Sequence, residues 1–156
     1  MKLNTDGSSK GCPGNASYGG VVRDEAGRWF IGYYGFLGTA TSLMAEIWSI
    51  REGLKLLLSK NIPNVMVESD CQSAIQLLCH NDKATQFDAL VEDSRWYASK
   101  FVNCKFVHTL REGNKCADFV AGLGHDQTER IVILETPPLG MMDFLRADFM
   151  SVAFER

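Results

Sequence analysis

The sequence predicts an α/β protein with a five-stranded mixed sheet, in which three antiparallel strands precede two parallel strands and helices cover both faces. Two observations predict this fold class. The apolar patterns run in the order three strands, a helix, a strand, two helices, a strand and a helix, which is typical of a sheet covered by helices. The long helix after the third strand also allows a right-handed crossover that returns the chain to lie parallel with its first strand.

The first three strands are predicted to form an antiparallel meander. The segment Lys2–Ser9 has the pattern of a short strand that carries Asp6 into a glycine-rich turn, and residues 7–17 have the composition of a loop. An apolar strand over 18–23 and an aromatic-rich strand over 28–36 follow. The turn signal Asp-Glu-Ala-Gly between them indicates a hairpin.

The remaining elements alternate between helices and strands. Apolar residues recur at helical spacing over 43–58, with Ser42 as the expected N-cap, and Pro63 then breaks the chain. The valine-rich segment 65–69 suits a strand buried between parallel neighbours. The last elements predicted are helices over 72–79 and 86–100, a strand over 104–110 and a helix over 114–123.

The core pattern ends near residue 125, so we expect one domain over residues 1–125. The chain has 156 residues, of which 46% are apolar and 22% charged, and this fits a single domain with a sizeable core. Residues 126–156 are expected to form a C-terminal extension that packs on this domain or trails from it. The extension contains a candidate edge strand over 130–134 and an apolar pattern over 139–150 that fits a short amphipathic helix.

The charge and the cysteines argue against several classes of protein. The net charge of -3 gives no basic field to attract nucleic acid. The five cysteines are scattered without a C-x-x-C pair, which disfavours a disulfide framework or a zinc site. With a polar start and no long apolar run, the chain is expected to be cytoplasmic or nuclear, neither secreted nor in a membrane. The oligomeric state is left open.

Four carboxylates lie where this topology would bring the ends of its elements together. They are Asp6 on the first strand, Glu46 on the apolar face of the long helix, Asp70 after the valine-rich strand and Asp118 in the first turn of the last helix. Each alone has an ordinary structural explanation. These are, in the same order, a turn residue, a side chain at the edge of the apolar face, an N-cap and a favourable partner of the helix dipole.

Taken together, the four carboxylates predict a divalent-metal site. In a medium of low dielectric they would repel one another strongly unless cations lay among them. Mg²⁺ fits because it prefers hard oxygen ligands and keeps waters that substrate phosphates can replace. Two such ions can stabilise both the attacking and the leaving oxygen of a phosphodiester.

In this order the same residues form motifs that resemble type 1 ribonuclease H, most closely the plant RNase H-like domains of retroelement-derived proteins. The motifs are NTDGSS at 4–9, GCPG at 11–14, AE at 45–46, ESD at 68–70 and REGNKCAD at 111–118. The resemblance covers roughly residues 2–125, and several ordered motifs are a more specific signal than any one of them. It implies an RNase H-like fold and metal-dependent hydrolysis of the RNA strand of an RNA–DNA hybrid.

The resemblance also implies roles for individual residues. The residues that match the metal-binding catalytic carboxylates are Asp6, Glu46, Asp70 and Asp118. Substrate contacts are implied for Gly11, Cys12, Ser42 and Gln72 on the RNA strand, for Thr41 on a DNA phosphate, and for Asn114 beside the last carboxylate. The 2′-hydroxyl is the group that distinguishes RNA at such a site.

Departures from the family keep a second function open. Cys12 stands where the family often has asparagine, and the loop 109–113 lacks the histidine of many cellular members, which leaves Glu112 as the candidate proton shuttle. A basic insertion is also missing, although phosphate contacts supply much of non-specific affinity. The alternative is a catalytically weak or inactive domain that binds nucleic acid or protein. A related 3′–5′ exonuclease would carry Asp-x-Glu on the first strand, where this chain has Ser8 two residues after Asp6.

Overall fold

The computed structural model describes residues 1–11, 13–80 and 88–146, with the side chain of Asp88 excluded. The strands are β1 (Lys2–Ser9), β2 (Gly14–Arg23), β3 (Trp29–Ala40), β4 (Asn64–Ser69), β5 (Asn103–His108) and β6 (Val132–Leu134). The helices are α1 (Ser42–Ser59), α2 (Gln72–Cys79), α3 (Asp88–Ser99) and α4 (Lys115–Leu123). Single 3-10 turns at Arg111–Gly113 and Gly124–Asp126 flank α4.

The strands pair into one mixed sheet in the order β5-β4-β1-β2-β3-β6. β1, β2 and β3 form the predicted antiparallel meander, and β4 lies parallel to both β1 and β5. The predicted α/β fold class is therefore confirmed. The sheet has six strands in the described part of the chain, one more than the five predicted, because β6 pairs with the outer edge of β3.

The meander is longer than its sequence pattern indicates. Residues 7–17 were predicted as a loop from their glycine and serine content, yet Ser8 pairs with Ser17 and Ser9 with Ala16 across the hairpin. The hydroxyl of Ser9 also links this end of β1 to β3, since Ser9 Oγ donates to Ala40 O at 2.9 Å. Small polar residues continue the sheet here because neighbouring strands hydrogen-bond to them. Composition alone does not show these partners.

Helices α1 and α4 pack on opposite faces of the sheet, close to its centre. An added Cβ at Gly7 would lie 2.4 Å from Glu46 N on α1, and one at Gly19 would lie 2.6 Å from Ala121 N on α4. Because Gly19 pairs with Asp6, the residue next to Gly7, these two contacts fall on opposite faces. The glycines thus let both helices approach β1 and β2 more closely than a side chain would permit.

The core is divided between these two faces. The larger cluster lies under α1 and includes Leu3, Ile47, Leu54, Leu57 and Val67, all fully buried. Residues beyond 125 contribute to the smaller one under α4, where Met141 is fully buried with Val21, Cys116 and Val120.

Two boundaries differ from their predictions at the ends of elements. Thr41, not Ser42, is the N-cap of α1, and its hydroxyl accepts from Met44 N at 3.2 Å. Of the helix predicted over 139–150, residues 142–146 are helical and the rest beyond 146 lies outside the described residues. No helix in the described ranges is long and apolar enough to cross a membrane. The domain division at residue 125 stays a prediction.

Candidate active site

Three carboxylates meet at the carboxyl ends of β1 and β4. The structure brings oxygen atoms of Asp6, Glu46 and Asp70 within 4.8 Å of one another. Asp6 and Glu46 are each only 6% exposed, and Asp70 is half-buried. Such a group of hard oxygen donors from three separate elements has the composition of a divalent-cation site.

Asp118 lies at the same place but on its outer side. It is exposed in the first turn of α4, and it contributes to raising the pKa of Asp6, after the larger effects of burial, Glu46 and Asp70. The structure therefore groups Asp6, Glu46 and Asp70 within 4.8 Å, with Asp118 acting on Asp6 from the edge of that group.

The local folding of β4 and α2 carries Asp70 to this point. Ser69, the last residue of β4, is fully buried, and its hydroxyl accepts from Cys71 N at 3.0 Å. This bond shapes the turn between the strand and the helix, with Asp70 at its apex. Asp70 thus projects from a fixed turn rather than from a flexible loop.

Burial makes the ionised form of these carboxylates unfavourable. It is the main cause that raises the pKa of Asp6, and the neighbouring charge of Glu46 raises that pKa further. Burial likewise raises the pKa of Glu46 and of Asp70. A cluster that must be ionised to bind its ligand is therefore disfavoured until cations offset the negative charge.

A cation that the sequence analysis did not single out faces the cluster. The charge of Arg111 opposes the effect of burial and lowers the pKa of Asp70, and His108 does so more weakly. Arg111 is exposed in the 3-10 turn before α4. In the sequence, Arg111 is visible as the first residue of the REGNKCAD motif. Its distance from Asp70 along the chain does not predict that the two act on each other.

A buried polar network holds the start of α4 against β1. Asn114 is 1% exposed; its Nδ2 donates to Thr5 O at 2.9 Å, and its Oδ1 accepts from Asn4 Nδ2 at 3.1 Å. Asn4 also donates to Glu68 Oε2 at 3.1 Å and accepts from Arg23 Nη2 at 3.0 Å. Asn114 was predicted to contact substrate, and that role stays a prediction; within the protein its side chain makes one accepted and one donated hydrogen bond. This geometry suits a residue that positions Asp118 relative to Asp6.

Replacing Asn114 tests this network. Asn114→Ala is expected to cost about 2 kcal/mol of unfolding free energy, because it leaves the buried Thr5 carbonyl without its donor. Urea denaturation measures this loss. Asn103→Ala is the matched control, since Asn103 also donates to an asparagine, Asn64, at 3.0 Å but on the exposed surface. Equal stability losses in the two variants would show that the network does not hold α4 in place.

The other predicted substrate contacts lie around the cluster at the surface. Gly11 is exposed in the β1–β2 hairpin, with a φ of 148° that favours glycine, while Cys12 lies outside the described residues. Ser42 and Gln72 are exposed at the first positions of α1 and α2, and Thr41 is half-buried as the cap of α1. Glu112 is exposed beside Arg111. Their role as contacts stays a prediction.

Comparison with protein families finds one match over most of the chain. The sequence model of the family described as reverse transcriptase-like matches residues 4–124. A curated Arabidopsis thaliana protein, named "Putative ribonuclease H protein", is 32% identical over 152 residues. The match covers 97% of this chain but 24% of the relative, so this chain spans about a quarter of that protein's length.

Solved structures share the same fold. RNase H1 from the archaeon Halobacterium salinarum NRC-1 has a TM-score of 0.76 and 22% identity, covering 80% of this chain and 96% of that one. LC11-RNase H1, from a compost metagenome and solved in complex with an RNA/DNA hybrid, has a TM-score of 0.74 and 24% identity, covering 80% and 96%. At these identities the likeness shows the fold, and the RNase H-like fold predicted from the motifs is confirmed.

Proposed function

Because this chain belongs to the reverse transcriptase-like family, we propose that it is a metal-dependent endonuclease that hydrolyses the RNA strand of RNA–DNA hybrids. The carboxylate cluster is the observation that carries this proposal. Asp6, Glu46 and Asp70 converge within 4.8 Å, and two of them are almost fully buried. Burying carboxylates together does not stabilise the fold through packing, whereas a bound cation would offset their repulsion.

The chemistry of the donor set fits Mg²⁺, or Mn²⁺ in its place. All four groups are carboxylates, and neither thiol nor imidazole ligands lie among them, so the set suits a hard cation. Asp6, Glu46 and Asp70 would hold the ions, with Asp118 beside them. Divalent ions at this place would supply a water activated for attack and charge stabilisation for the departing 3′ oxygen.

The side chains around the cluster would hold the substrate. Gly11, Cys12, Ser42 and Gln72 would contact the RNA strand, and Thr41 a DNA phosphate. Gly11 presents its backbone at the tip of a hairpin, which allows close approach to a nucleic acid strand. Arg111, whose charge acts on Asp70, would orient the scissile phosphate. One guanidinium group can donate two parallel hydrogen bonds to phosphate oxygens.

Glu112 would exchange protons with solvent at this site. It is exposed and lies in the turn before α4. Glu112→Gln should slow hydrolysis less than about tenfold, well below the 10²–10⁴-fold loss that follows removal of a positioned general acid or base. Steady-state rates of hybrid cleavage measure this, with exposed Glu129→Gln as the control. A hundredfold loss in Glu112→Gln alone would give this residue a direct catalytic role.

A panel of substrates tests the proposed function. Wild-type protein is incubated with an RNA–DNA hybrid, a double-stranded RNA and a double-stranded DNA, each labelled on one strand. We expect cleavage of the RNA strand of the hybrid alone. The net charge of -3 favours the competing function, a non-catalytic binding module. Hybrid binding without cleavage in either Mg²⁺ or Mn²⁺ would support that module instead.

A further inference from the structure

Three donor side chains cluster beside the carboxylates, at the end of β1. His125 Nε2 lies 2.9 Å from Ser8 Oγ, although 117 residues separate them. Ser8 is two residues beyond Asp6 on β1, so both side chains point to the same face of that strand. Lys10 directly follows β1, two residues beyond Ser8, and its backbone N–H donates to Asn15 O at 2.9 Å across the hairpin. Burial lowers the pKa of His125, and the charge of Lys10 lowers that pKa further.

Packing of the end of α4 on the sheet fixes the position of His125. An added Cβ at Gly124 would lie 2.7 Å from both Gly35 O and Ser17 Cβ, so this turn is pressed against β2 and β3. Ser17 Oγ donates to Ala121 O at 2.5 Å and fastens the last turn of α4 to the same place. The imidazole is therefore presented by a rigid part of the fold.

The chemistry of this cluster suits a phosphate oxygen. A lysine ammonium, a hydroxyl and an imidazole are all able to donate hydrogen bonds, whereas the charge of Lys10 disfavours a metal cation. Asp126 is the acidic residue whose charge acts on His125, and it is exposed. Two residues of strand span about 6.6 Å, which separates this cluster from Asp6 by roughly one nucleotide.

We propose that His125, Ser8 and Lys10 bind a backbone phosphate of the nucleic acid next to the phosphate held at the carboxylates. The inference rests on the proposed function and adds Lys10 and His125, which lie outside the motifs that carry the family resemblance. It also accounts for how a chain with a net charge of -3 holds a polyanion. The binding charge is concentrated at the site instead of spread over a basic surface.

Neutral phosphates test the contact directly. A series of RNA–DNA hybrids carries one uncharged methylphosphonate, moved one position at a time through the RNA strand or the DNA strand. Binding is measured in an Asp6→Asn background, so that no hybrid is cut. We expect a single position near the scissile phosphate to weaken binding about threefold to tenfold. The strand in which it falls identifies the source of the phosphate.

Variants of the cluster should remove this penalty. Lys10→Ala and His125→Ala are expected to bind the hybrid with a methylphosphonate at the sensitive position as tightly as they bind the unmodified hybrid. Lys10→Ala should also lower the slope of log affinity against log salt by about 1. The matched controls are Lys55→Ala and His80→Ala, which remove exposed groups at the far side of α1 and the end of α2. Lys10 is exposed, so its replacement leaves the core intact.

The outcomes separate this inference from the proposed function. Two results would overturn the phosphate contact even if wild-type protein cleaves hybrids. In the first, the methylphosphonate still weakens binding by both cluster variants. In the second, the cluster variants bind the unmodified hybrid as tightly as the two control variants do. Loss of the penalty in a protein that binds but never cleaves would uphold the contact while the nuclease fails. A wild-type chain that binds no hybrid at low salt would overturn both.

Discussion

Asp6→Asn should abolish cleavage of RNA–DNA hybrids, by a factor of about a thousand or more. The substitution keeps the shape of the side chain and removes the charge of the carboxylate that lies with Glu46 and Asp70. Metal-ion catalysis supplies several kcal/mol of transition-state stabilisation, and each 1.36 kcal/mol is about tenfold in rate. Single-turnover cleavage in Mg²⁺ and Mn²⁺ measures the loss.

A charge-matched control shows that the effect is local. Glu25→Gln also removes one negative charge, but from the exposed β2–β3 turn at the opposite end of the meander. It should cleave at the wild-type rate. Hybrid binding by Asp6→Asn should be intact or stronger, because one repulsive charge is gone. Cleavage within tenfold of wild type by folded Asp6→Asn would remove Asp6 from the centre of the site.

Asp70→Asn is expected to raise the melting temperature of the metal-free protein by several degrees near pH 8. The amide cannot ionise, so it removes repulsion within a cluster that burial already disfavours. For a domain of this size, about 1 kcal/mol corresponds to 2–4 °C. Mn²⁺ should then raise the melting temperature of wild type, by mass action, more than that of the variant.

The pH dependence of this gain has a definite sign. The pKa values of Asp6, Glu46 and Asp70 are raised in the folded state. The folded protein thus binds protons more tightly than the unfolded chain, whose carboxyls titrate near pH 4. The contribution of these three groups to stability is greatest at low pH and is lost as the pH rises through their raised pKa values. Scanning calorimetry from pH 4 to pH 8 should therefore show wild type and Asp70→Asn diverging as the pH rises. Parallel curves would refute a shared, repulsive site.

The features that could be predicted from the sequence are those that follow from a local pattern of residue types. The valines of β4 and the apolar spacing of α1 predicted the parallel pairing, and the carboxylates at the ends of these elements could then be placed together. The motif at the start of β1 added the identity of the family. These features depend on local pattern and strand order, which a sequence carries directly.

Other features depend on partners distant in the chain. Asn4 and Asn114 lie 110 residues apart, and no local pattern predicts that their side chains meet. The same holds for His125 and Ser8, and for Arg111 beside Asp70. The candidate edge strand over 130–134 is confirmed at residues 132–134, but its pairing with β3 was not predicted. Such contacts require the register of the sheet, which periodicity does not give.

The dependence of hybrid cleavage on Mn²⁺ concentration tests the central claim most directly. Wild-type protein and Asp6→Asn are assayed with a labelled RNA–DNA hybrid, first with chelator and then over a Mn²⁺ series. We predict no cleavage in chelator, a saturable rise of the wild-type rate with Mn²⁺, and no rise in Asp6→Asn. A wild-type rate that survives in chelator, or the absence of cleavage at every Mn²⁺ concentration while the hybrid remains bound, would contradict a metal-dependent nuclease built on these carboxylates.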